Sequence, residues 1–397
     1  MSENIYLKYE FNLNVEPNLW KQLKTAIVHD WFASYAGSEK CVESFTNIWQ
    51  DADVFTLFNL LNYDESQKVF KNKNLNTSFL QKAPFIKTKH RNYLPLFPFA
   101  IEQFDVSGYD FILTSSHAVA KGVITNPDQL NICYCYTPIR YAWDLYQQYL
   151  TEAKLTKGLK GLIAKSILHY IRMWDSTTAN RVNYFVGISK YIANRIEKIY
   201  GRKADVIYPP VDTDKFTCGN GKDNYYLAAS RFVPYKKIDL IVETFKDFGG
   251  RKLVLIGDGP DKKKIVPLLS ANVEYIGYQP DEKLKEYMQN AKAFIFAAEE
   301  DFGIIPVEAL SCGTPVIAFN KGGASETIID GESGIHFNEQ KINSLREAIL
   351  RFEKSENKFD PVTLNQYAKK FDRSVFEKNI TEYVQQKSEI FFNKKKP

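Results

Sequence analysis

The sequence predicts an α/β protein in which two doubly wound, parallel-sheet domains face each other across a cleft. Short β-rich runs alternate with helical patterns along two long stretches, which is typical of βα units on a parallel sheet. Several runs, such as residues 293–298, are continuously apolar, as strands are when helices cover both faces of their sheet. The chain has 397 residues, and this length favours at least two domains because a typical single domain has ~150 residues.

The predicted elements follow one another in chain order. A strand at 184–189 leads into the helical run 190–200, which Gly201 ends because glycine accepts the left-handed backbone of a helix terminus. Apolar residues at helical spacing predict further helices between the strands of the second half. The predicted strands are 25–30, 54–58, 111–115, 131–136, 184–189, 225–230, 252–257, 273–277, 293–298, 315–319 and 334–337.

The boundary between the two domains is predicted near residues 208–211 (YPPV), which precede a polar loop at 218–223. The predicted organisation is an N-terminal extension (1–23), two doubly wound, Rossmann-like domains (24–205 and 206–375) and a C-terminal helical tail (376–397). We expect the tail to pack back on the N-terminal domain. In doubly wound sheets, ligands bind at the carboxyl ends of the strands, so we expect the functional residues at those ends.

Composition excludes several classes of protein. Lysine plus arginine is 52 and aspartate plus glutamate is 47, so the net charge of +5 is too slight for a duplex-DNA binder. No apolar run reaches the ~18–20 residues that span a bilayer, and the first residues do not resemble a secretory signal. The five cysteines are scattered, which favours reduced thiols over disulfides or zinc. We therefore expect a cytoplasmic protein.

The most informative segment is residues 299–315 (EEDFGIIPVEALSCGTP), which predicts a strand end, a loop, a short helix and another strand. Pro306 suits the first helical position, and Gly303 lets a ligand approach the backbone. The free N–H groups around residues 303–305 (Gly303, Ile304 and Ile305) are expected to form an anion site at the helix start. Glu300 and Glu308 flank that site, as a ligand with hydroxyls at both ends and phosphates between them requires. Isolated glutamates are more often a solvated loop acid and a helix-dipole partner, but the glycine and proline positions favour a functional role.

Two cations are predicted at the end of the strand at 225–230. Arg231 follows the strand and Lys236 opens the next helix, so both could neutralise a diphosphate. Gly257 ends the neighbouring strand and is a further candidate for donor binding. No G-x-G-x-x-G or P-loop pattern is present, which argues against dinucleotide and kinase sites. The glycines before Glu326 predict another close approach of backbone to a ligand.

The first half repeats the pattern of strand end, loop and helix. Gly37 and Ser38 open a helix after the first strand, while His117, Tyr136 and Arg140 follow two other strands. We expect Gly37, Ser38, His117 and Arg140 at the carboxyl edge of the first sheet, facing the cleft, although a lone histidine is more often a structural group than a catalytic one.

Two segments, 79–104 and 155–172, mix basic and apolar residues. Such surfaces can lie on anionic lipid, but they are also found on ordinary surface helices, and both interpretations stay open. The D-x-D at residues 212–214 is expected to form a turn and helix cap, since it does not follow a strand of a nucleotide-binding unit. No metal site is therefore predicted.

Taken together, these motifs resemble the retaining GT-B glycosyltransferases of family 4, which have two Rossmann-like domains. The resemblance implies that the first domain (24–205) binds the acceptor, with Gly37, Ser38, His117 and Arg140 on the acceptor side, and that the second (206–375) binds the nucleotide-sugar. The resemblance rests on E-x7-E at 300–308, SRFVPYK at 230–236 and YPPVD at 208–212, and it extends from about residue 24 to residue 375. The stretch 134–144 (YCYTPIRYAWD) is similar to bacterial mannosyltransferases of O-antigen and exopolysaccharide assembly. The chain departs from the family at Tyr136, where histidine is usual beside the donor sugar, and at Ala36, where a second glycine is frequent.

The resemblance implies specific roles for these residues. Arg231 and Lys236 would hold the donor diphosphate, Glu300 the sugar hydroxyls and Glu308 the ribose, with Tyr136 beside the donor. It implies transfer of a hexose, mannose above others, from a nucleotide diphosphate sugar such as GDP-mannose. The expected acceptor is a saccharide, polyprenyl-linked or otherwise lipid-linked, in the assembly of a cell-surface polysaccharide such as lipopolysaccharide.

The resemblance also implies transfer with retention, no metal or other cofactor, no nucleic-acid partner, and peripheral contact with the inner face of the membrane. Three alternatives remain at this point. They are a sugar-nucleotide epimerase of the same fold, a phosphorylase, and a non-catalytic partner subunit that binds sugar nucleotides.

Overall fold

The computed structural model describes residues 19–71, 73–219 and 221–393 and confirms the predicted α/β class. Residues 1–18 of the predicted N-terminal extension and residues 394–397 of the predicted tail lie outside the described residues.

The first domain is built on a seven-stranded sheet in the order β3-β2-β1-β4-β5-β6-β7, in which all neighbours are parallel. The last residue of β1, His29, is level with Ser115 near the end of β4, so the two strands finish at the same edge. The strands are β1 (Thr25–His29), β2 (Asp53–Thr56), β3 (Leu75–Thr77), β4 (Phe111–Ser116), β5 (Leu130–Cys135), β6 (Tyr184–Gly187) and β7 (Ala204–Val206).

The second domain is built on a six-stranded parallel sheet in the order β10-β9-β8-β11-β12-β13. In both sheets the strand order reverses beside the first strand, between β1 and β4 and between β8 and β11. Such a reversal leaves a crevice at the carboxyl edge of the sheet. The strands are β8 (Tyr225–Ala229), β9 (Lys252–Ile256), β10 (Val273–Gly277), β11 (Ala293–Phe296), β12 (Val316–Phe319) and β13 (Gly334–Phe337).

Helices cover both faces of the two sheets. Those of the first half are α1 (Leu19–Gln22), α2 (Gly37–Ile48), α3 (Tyr63–Phe70), α4 (Ile86–Lys89), α5 (Phe97–Glu102), α6 (Tyr146–Glu152), α7 (Gly158–Thr178) and α8 (Lys190–Tyr200). Those of the second half are α9 (Ile238–Phe245), α10 (Lys262–Ile265), α11 (Asp281–Asn290), α12 (Ile304–Ser311), α13 (Ala324–Thr327), α14 (Ile342–Ser355), α15 (Pro361–Ala368) and α16 (Arg373–Asn393).

The eleven strands predicted from the sequence all occur, with ends shifted by no more than two residues. The short strands β3 and β7 were not predicted. Each has only three residues, lies at an edge of the sheet and is largely open to solvent, so neither has the continuous apolar run of a central strand. The other strands could be predicted because burial on both faces gives them continuous apolar runs.

The long C-terminal helix α16 crosses back to the first domain. The ring of Phe376 packs against Phe45 of α2 and Tyr134 of β5, with centroids 5.7 and 5.5 Å apart. At the start of α16, Arg373 binds the carboxylate of Asp212 at 2.8 Å, and Lys40 of α2 binds the same carboxylate at 3.2 Å. The helix thus ties the segment between the two domains to the N-terminal sheet.

The two basic and apolar segments lie on the surface of the first domain. Most of the second segment lies in α7, which extends from Gly158 to Thr178. Its N-terminal part exposes Leu159, Leu162 and Ile163, and the first segment exposes Phe85 and Phe99. Among the described residues, none of the helices is apolar over enough of its length to cross a bilayer.

We expect Phe376→Ala to destabilise the chain by about 3–5 kcal/mol, since the side chain is only 2% exposed and its loss leaves a cavity between α16 and the first sheet. Denaturant unfolding followed by circular dichroism measures the change. Phe79→Ala is the matched control because that ring is 49% exposed, and its effect should be small. Equal losses in the two variants would contradict the packing of α16 described here.

Candidate functional site

A cavity of about 660 Å³ lies between the carboxyl edges of the two sheets. It is placed where the strand order reverses in each domain, so loops after β1, β4, β8 and β11 all reach it. On the N-terminal side its lining includes Gly37, Ser38, His117, Tyr136 and Arg140, and on the C-terminal side it includes Arg231, Lys236, Glu300, Gly303, Ile304, Ile305 and Glu308. The structure thus brings together every residue proposed for the site from the sequence, except Gly257.

Gly257 lies behind the cavity and does not line it. Its φ of +138° is accessible to glycine, and a Cβ at this position would lie 1.8 Å from the carbonyl oxygen of Ser230. The glycine therefore lets the end of β9 pack directly against the end of β8. Gly257 therefore packs against the residues on either side of Arg231 and does not line the cavity.

The start of α12 differs in detail from the prediction. Gly303 has a φ of +84°, which turns the loop so that the helix begins at Ile304. Pro306 is therefore the third helical residue and Glu308 lies in the second turn. Proline is accepted there because none of the first-turn N–H groups has an acceptor within the helix. The start of the helix lines the cavity, and a helix N-terminus of this kind favours a negatively charged group.

Lys236 and Glu300 form an ion pair at the centre of the C-terminal wall. Lys236 closes a single 3-10 turn (Pro234–Lys236) after β8, and Glu300 follows β11. Their side chains are only 16% and 18% exposed. Burial lowers the pKa of Lys236 to about 8, so the ammonium loses its proton more readily than an ordinary lysine. Arg231 lies beside this pair and is exposed at the cavity wall.

Glu308 lies deeper along α12 and is partly exposed. Burial raises the pKa of its carboxyl to about 7, although Lys40 lowers it slightly. Near neutral pH this carboxyl can therefore either donate or accept a hydrogen bond, and a hydroxyl group can take the complementary part in both cases.

Asp30 organises the N-terminal wall. Its buried carboxylate accepts hydrogen bonds from the backbone N–H groups of residues 117–120, at 2.5–2.9 Å, and contacts Nδ1 of His117 at 3.0 Å. Asp30 thereby fixes both the loop after β4 and the imidazole that this loop carries. The sequence left open whether His117 is a structural group or part of the site. In the structure it is both bound by Asp30 and exposed to the cavity.

The hydroxyl of Tyr136 is bound to the protein itself. It donates to the carbonyl of Ser38 at 3.1 Å and accepts from Oγ of Ser115, which lies 2.8 Å away. Ser115 in turn accepts from Nδ1 of His29, at 3.0 Å. Burial lowers the pKa of His29 to about 4, so its ring is neutral. Through this chain of hydrogen bonds Tyr136, which stands where the resembled family has a histidine, positions the Gly37–Ser38 loop.

Contacts across the cleft were not predicted from the sequence. The carboxylate of Glu326 accepts the first two N–H groups of α8, from Lys190 and Tyr191, at 2.8 and 2.7 Å. Arg195 of the same helix binds Asp301 at 2.8 Å. The sequence predicted that the glycines before Glu326 let the backbone approach a ligand. In the structure, the Glu326 side chain instead binds a helix of the other domain.

The D-x-D at residues 212–214 has cationic partners. Burial raises the pKa of Asp212, but the nearby cations Lys40 and Arg373 outweigh this effect and lower it to about 2. Asp214 forms an ion pair with Lys369. The described residues contain no cluster of three or more histidine, cysteine, aspartate or glutamate side chains arranged for a metal ion.

Comparison with known proteins identifies related sequences. Residues 212–371 match the family model described as glycosyl transferases group 1. An uncharacterized glycosyltransferase of Methanocaldococcus jannaschii is 30% identical over 200 residues, which cover 49% of this chain and 56% of that protein. A GDP-mannose-dependent alpha-(1-6)-phosphatidylinositol monomannoside mannosyltransferase of Mycolicibacterium smegmatis is 26% identical over 193 residues, which cover 41% of this chain and 50% of that protein. The matching segments thus span about half the length of these curated relatives.

Solved structures extend the likeness to both domains. HepE of Anabaena, solved in complex with UDP, superposes with a TM-score of 0.65 at 16% identity, covering 91% of this chain and 100% of that one. The GT-B fold is thereby confirmed, and so is the resemblance to GT-B glycosyltransferases, with mannosyltransferases among the relatives.

We expect Glu308→Gln to stabilise the free chain at pH 8 relative to the wild type. The folded pKa of about 7 lies above the ordinary value of 4.5, so the native state binds this proton more tightly than the unfolded state. The stability gained from the proton is complete below pH 4.5 and is lost as the pH rises to 7. The variant should therefore gain about 1–3 kcal/mol over the wild type between pH 4.5 and pH 8.

Thermal unfolding at pH 5 and pH 8 measures this difference. Glu282→Gln is the matched control, because the Glu282 side chain is 87% exposed. A pH-independent effect of Glu308→Gln would contradict the raised pKa.

Proposed function

We propose that this protein is a retaining glycosyltransferase that moves a hexose from a nucleotide diphosphate sugar to a saccharide acceptor. The observation that carries the proposal is the composition of one cavity wall. Arg231, Lys236, the start of α12, Glu300 and Glu308 line one wall, and the acceptor-side residues His117 and Arg140 line the same cavity. Two cations and a helix N-terminus beside two carboxyl groups suit a ligand that joins two phosphates to a sugar and a ribose.

In this proposal the diphosphate is held by Arg231, Lys236 and the first-turn N–H groups of α12. Glu300 accepts hydrogen bonds from the sugar hydroxyls, and Glu308 binds the ribose. When the phosphate enters, it shares Lys236 with Glu300, so the ammonium stays charged between two anions. Such groups are already in place before the reaction, and therefore need little reorganisation as charge develops.

The reaction breaks the bond between the anomeric carbon and the phosphate oxygen, and forms a bond from the acceptor oxygen to the same face of that carbon. The acceptor hydroxyl loses its proton to the departing phosphate. Negative charge grows on the diphosphate in the transition state, where Arg231 and Lys236 stabilise it. Domain closure excludes water, which would otherwise compete with the acceptor. No nucleophile from the enzyme takes part.

We propose that transfer needs no metal ion. In some other sugar-transfer enzymes a divalent ion neutralises the negative charge of the diphosphate. In this protein Arg231 and Lys236 would neutralise it. The carboxylates of the D-x-D support this proposal, since Asp212 and Asp214 are bound by cations of the protein outside the cavity.

Mannose from GDP-mannose is the proposed donor substrate, because a GDP-mannose-dependent mannosyltransferase is among the relatives. A uridine nucleotide is the next candidate, because the neighbouring HepE structure contains UDP. The proposed acceptor is a lipid-linked saccharide of a cell-surface polysaccharide. Exposed apolar side chains beside lysines on α7 and in the 79–104 segment support contact with the inner face of a membrane.

We expect the purified chain to release nucleoside diphosphate only when an acceptor is present, and Arg231→Ala and Glu300→Ala to lower transfer by about 10²–10³-fold or more. Product analysis by mass spectrometry and coupled assay of the released nucleotide measure both. Arg351→Ala is the control, because that exposed guanidinium pairs with Asp330 away from the cavity.

Full transfer by either variant would overturn the site assignment. Conversion of the sugar nucleotide without an acceptor would indicate an epimerase instead. Nucleotide binding without turnover under any acceptor would indicate a non-catalytic partner subunit.

We expect the affinity for nucleoside diphosphate to fall as the pH rises above 8. The pKa of Lys236 is about 8 in the free chain, and the diphosphate favours the charged ammonium, so binding above that pH requires uptake of a proton. The dissociation constant should rise by up to about tenfold per pH unit between pH 8 and pH 9.5.

Isothermal titration calorimetry with GDP and UDP in buffers of different ionisation enthalpy measures the affinity and the proton uptake together. Lys236→Arg keeps its charge over this range and should remove the pH dependence. If the arginine variant shows the same decline as the wild type, another group is responsible.

A further inference from the structure

A second cavity, of about 290 Å³, lies in the first domain and has no role in the proposed reaction so far. Its walls are mainly aromatic, with a small number of polar groups, which is the usual composition of a site for a small organic ligand. The residues that carry the argument are Trp31, His90, Arg91, Phe97, Tyr141 and Tyr149.

The second cavity is adjacent to the cleft. Trp31 directly follows Asp30 at the end of β1, and its ring meets the ring of His117 edge to face, with centroids 4.5 Å apart. His117 lines the cleft and Trp31 lines the second cavity. The two cavities are therefore lined by adjoining rings, and a molecule that extends past these rings from one cavity would enter the other.

Two polar atoms of the cavity walls are buried without a partner. The hydroxyl of Tyr141 and Nδ1 of His90 make no hydrogen bond with any described residue. Buried polar groups are normally paired, because an unpaired one has lost its water without replacement. These two atoms therefore indicate a ligand that carries hydrogen-bonding groups into an aromatic space. A hydrocarbon chain alone would leave both of them unpaired.

Arg91 adds a positive charge at the rim. Its side chain is exposed, and it forms no ion pair or hydrogen bond with another side chain of the described residues. A planar guanidinium is well suited to a phosphate group. In the same segment of the chain, the exposed ring of Phe85 lies under Nζ of Lys89, 5.4 Å from the ring centroid. The cavity thus combines an aromatic wall, two buried polar atoms and an exposed cation.

We propose that this second cavity binds the part of the acceptor that lies beyond its reacting hydroxyl, namely a sugar ring linked to phosphate. The ring stacks on Trp31, its hydroxyls bond Tyr141 and His90, and Arg91 holds the phosphate. Aromatic side chains bind sugars well because their apolar faces cover the C–H groups while nearby polar atoms bind the hydroxyls. This assignment rests on the proposed function, since it names the substrate class of that same reaction.

The test uses direct binding, so that it does not depend on turnover. The full chain is saturated with GDP or UDP to fill the donor site, and is then titrated with the 1-phosphates of mannose, glucose and galactose. Saturation-transfer NMR and thermal shift report binding. We expect at least one sugar phosphate to bind, Tyr141→Phe to weaken that binding about three- to tenfold, and Arg91→Gln to weaken it more for the sugar phosphate than for the free sugar.

Matched variants separate this site from the donor site. Arg231→Ala should leave sugar-phosphate binding intact while it weakens nucleotide binding, and Tyr63→Phe, whose side chain is 76% exposed, should change neither. Tyr141→Phe should also keep or raise the melting temperature, because it removes a buried unpaired oxygen. A lower melting temperature would show instead that the hydroxyl has a structural role.

Other outcomes overturn the proposal. These are binding by none of the sugar phosphates, binding that is insensitive to Tyr141→Phe and Arg91→Gln, and equal binding of octyl phosphate with the same sensitivity to Tyr141→Phe. The last result would assign the cavity to a lipid chain. If sugar phosphates bind as expected but no transfer is ever detected, the proposed function fails and this site remains.

Discussion

The cleft depends on the contact of α8 with two carboxylates of the other domain. Glu326 accepts the first N–H groups of the helix, and Asp301 binds Arg195, whose side chain is only 9% exposed. A helix N-terminus and a buried guanidinium both need a negative partner, so the contact fixes the angle between the sheets. Because Asp301 directly follows Glu300, the same contact that joins the domains also holds Glu300 at the cavity wall.

Strand order explains why the chemistry lies where it does. In each sheet the strand order reverses beside the first strand, and no crossover helix covers the loops at this point. Four such loops supply Asp30, His117, Arg231 and Glu300. The two domains use the same topological feature differently, since one presents charged side chains to the cavity and the other presents rings and hydrogen-bonding groups.

Buried polar groups on the N-terminal side fall into two classes. Asp30 and Tyr136 are bound by the protein, and they hold the loops around the cleft in one conformation. The hydroxyl of Tyr141 and the imidazole of His90 are buried without such partners. Groups of the first class build the site, whereas those of the second class remain available to a ligand, and this contrast is the basis for assigning the aromatic cavity to the acceptor.

The sequence by itself determined the fold class, the central strands and the residues that follow them, because burial on both faces and the glycine or proline at strand ends are local properties. It therefore indicated Arg231, Lys236, Glu300 and Glu308. The pairing of Arg195 with Asp301, 106 positions apart, and the separation of Gly257 from the cavity were decided only by the tertiary structure. Which charges meet, and which glycine serves packing, depends on the orientation of whole domains, and no local pattern records that orientation.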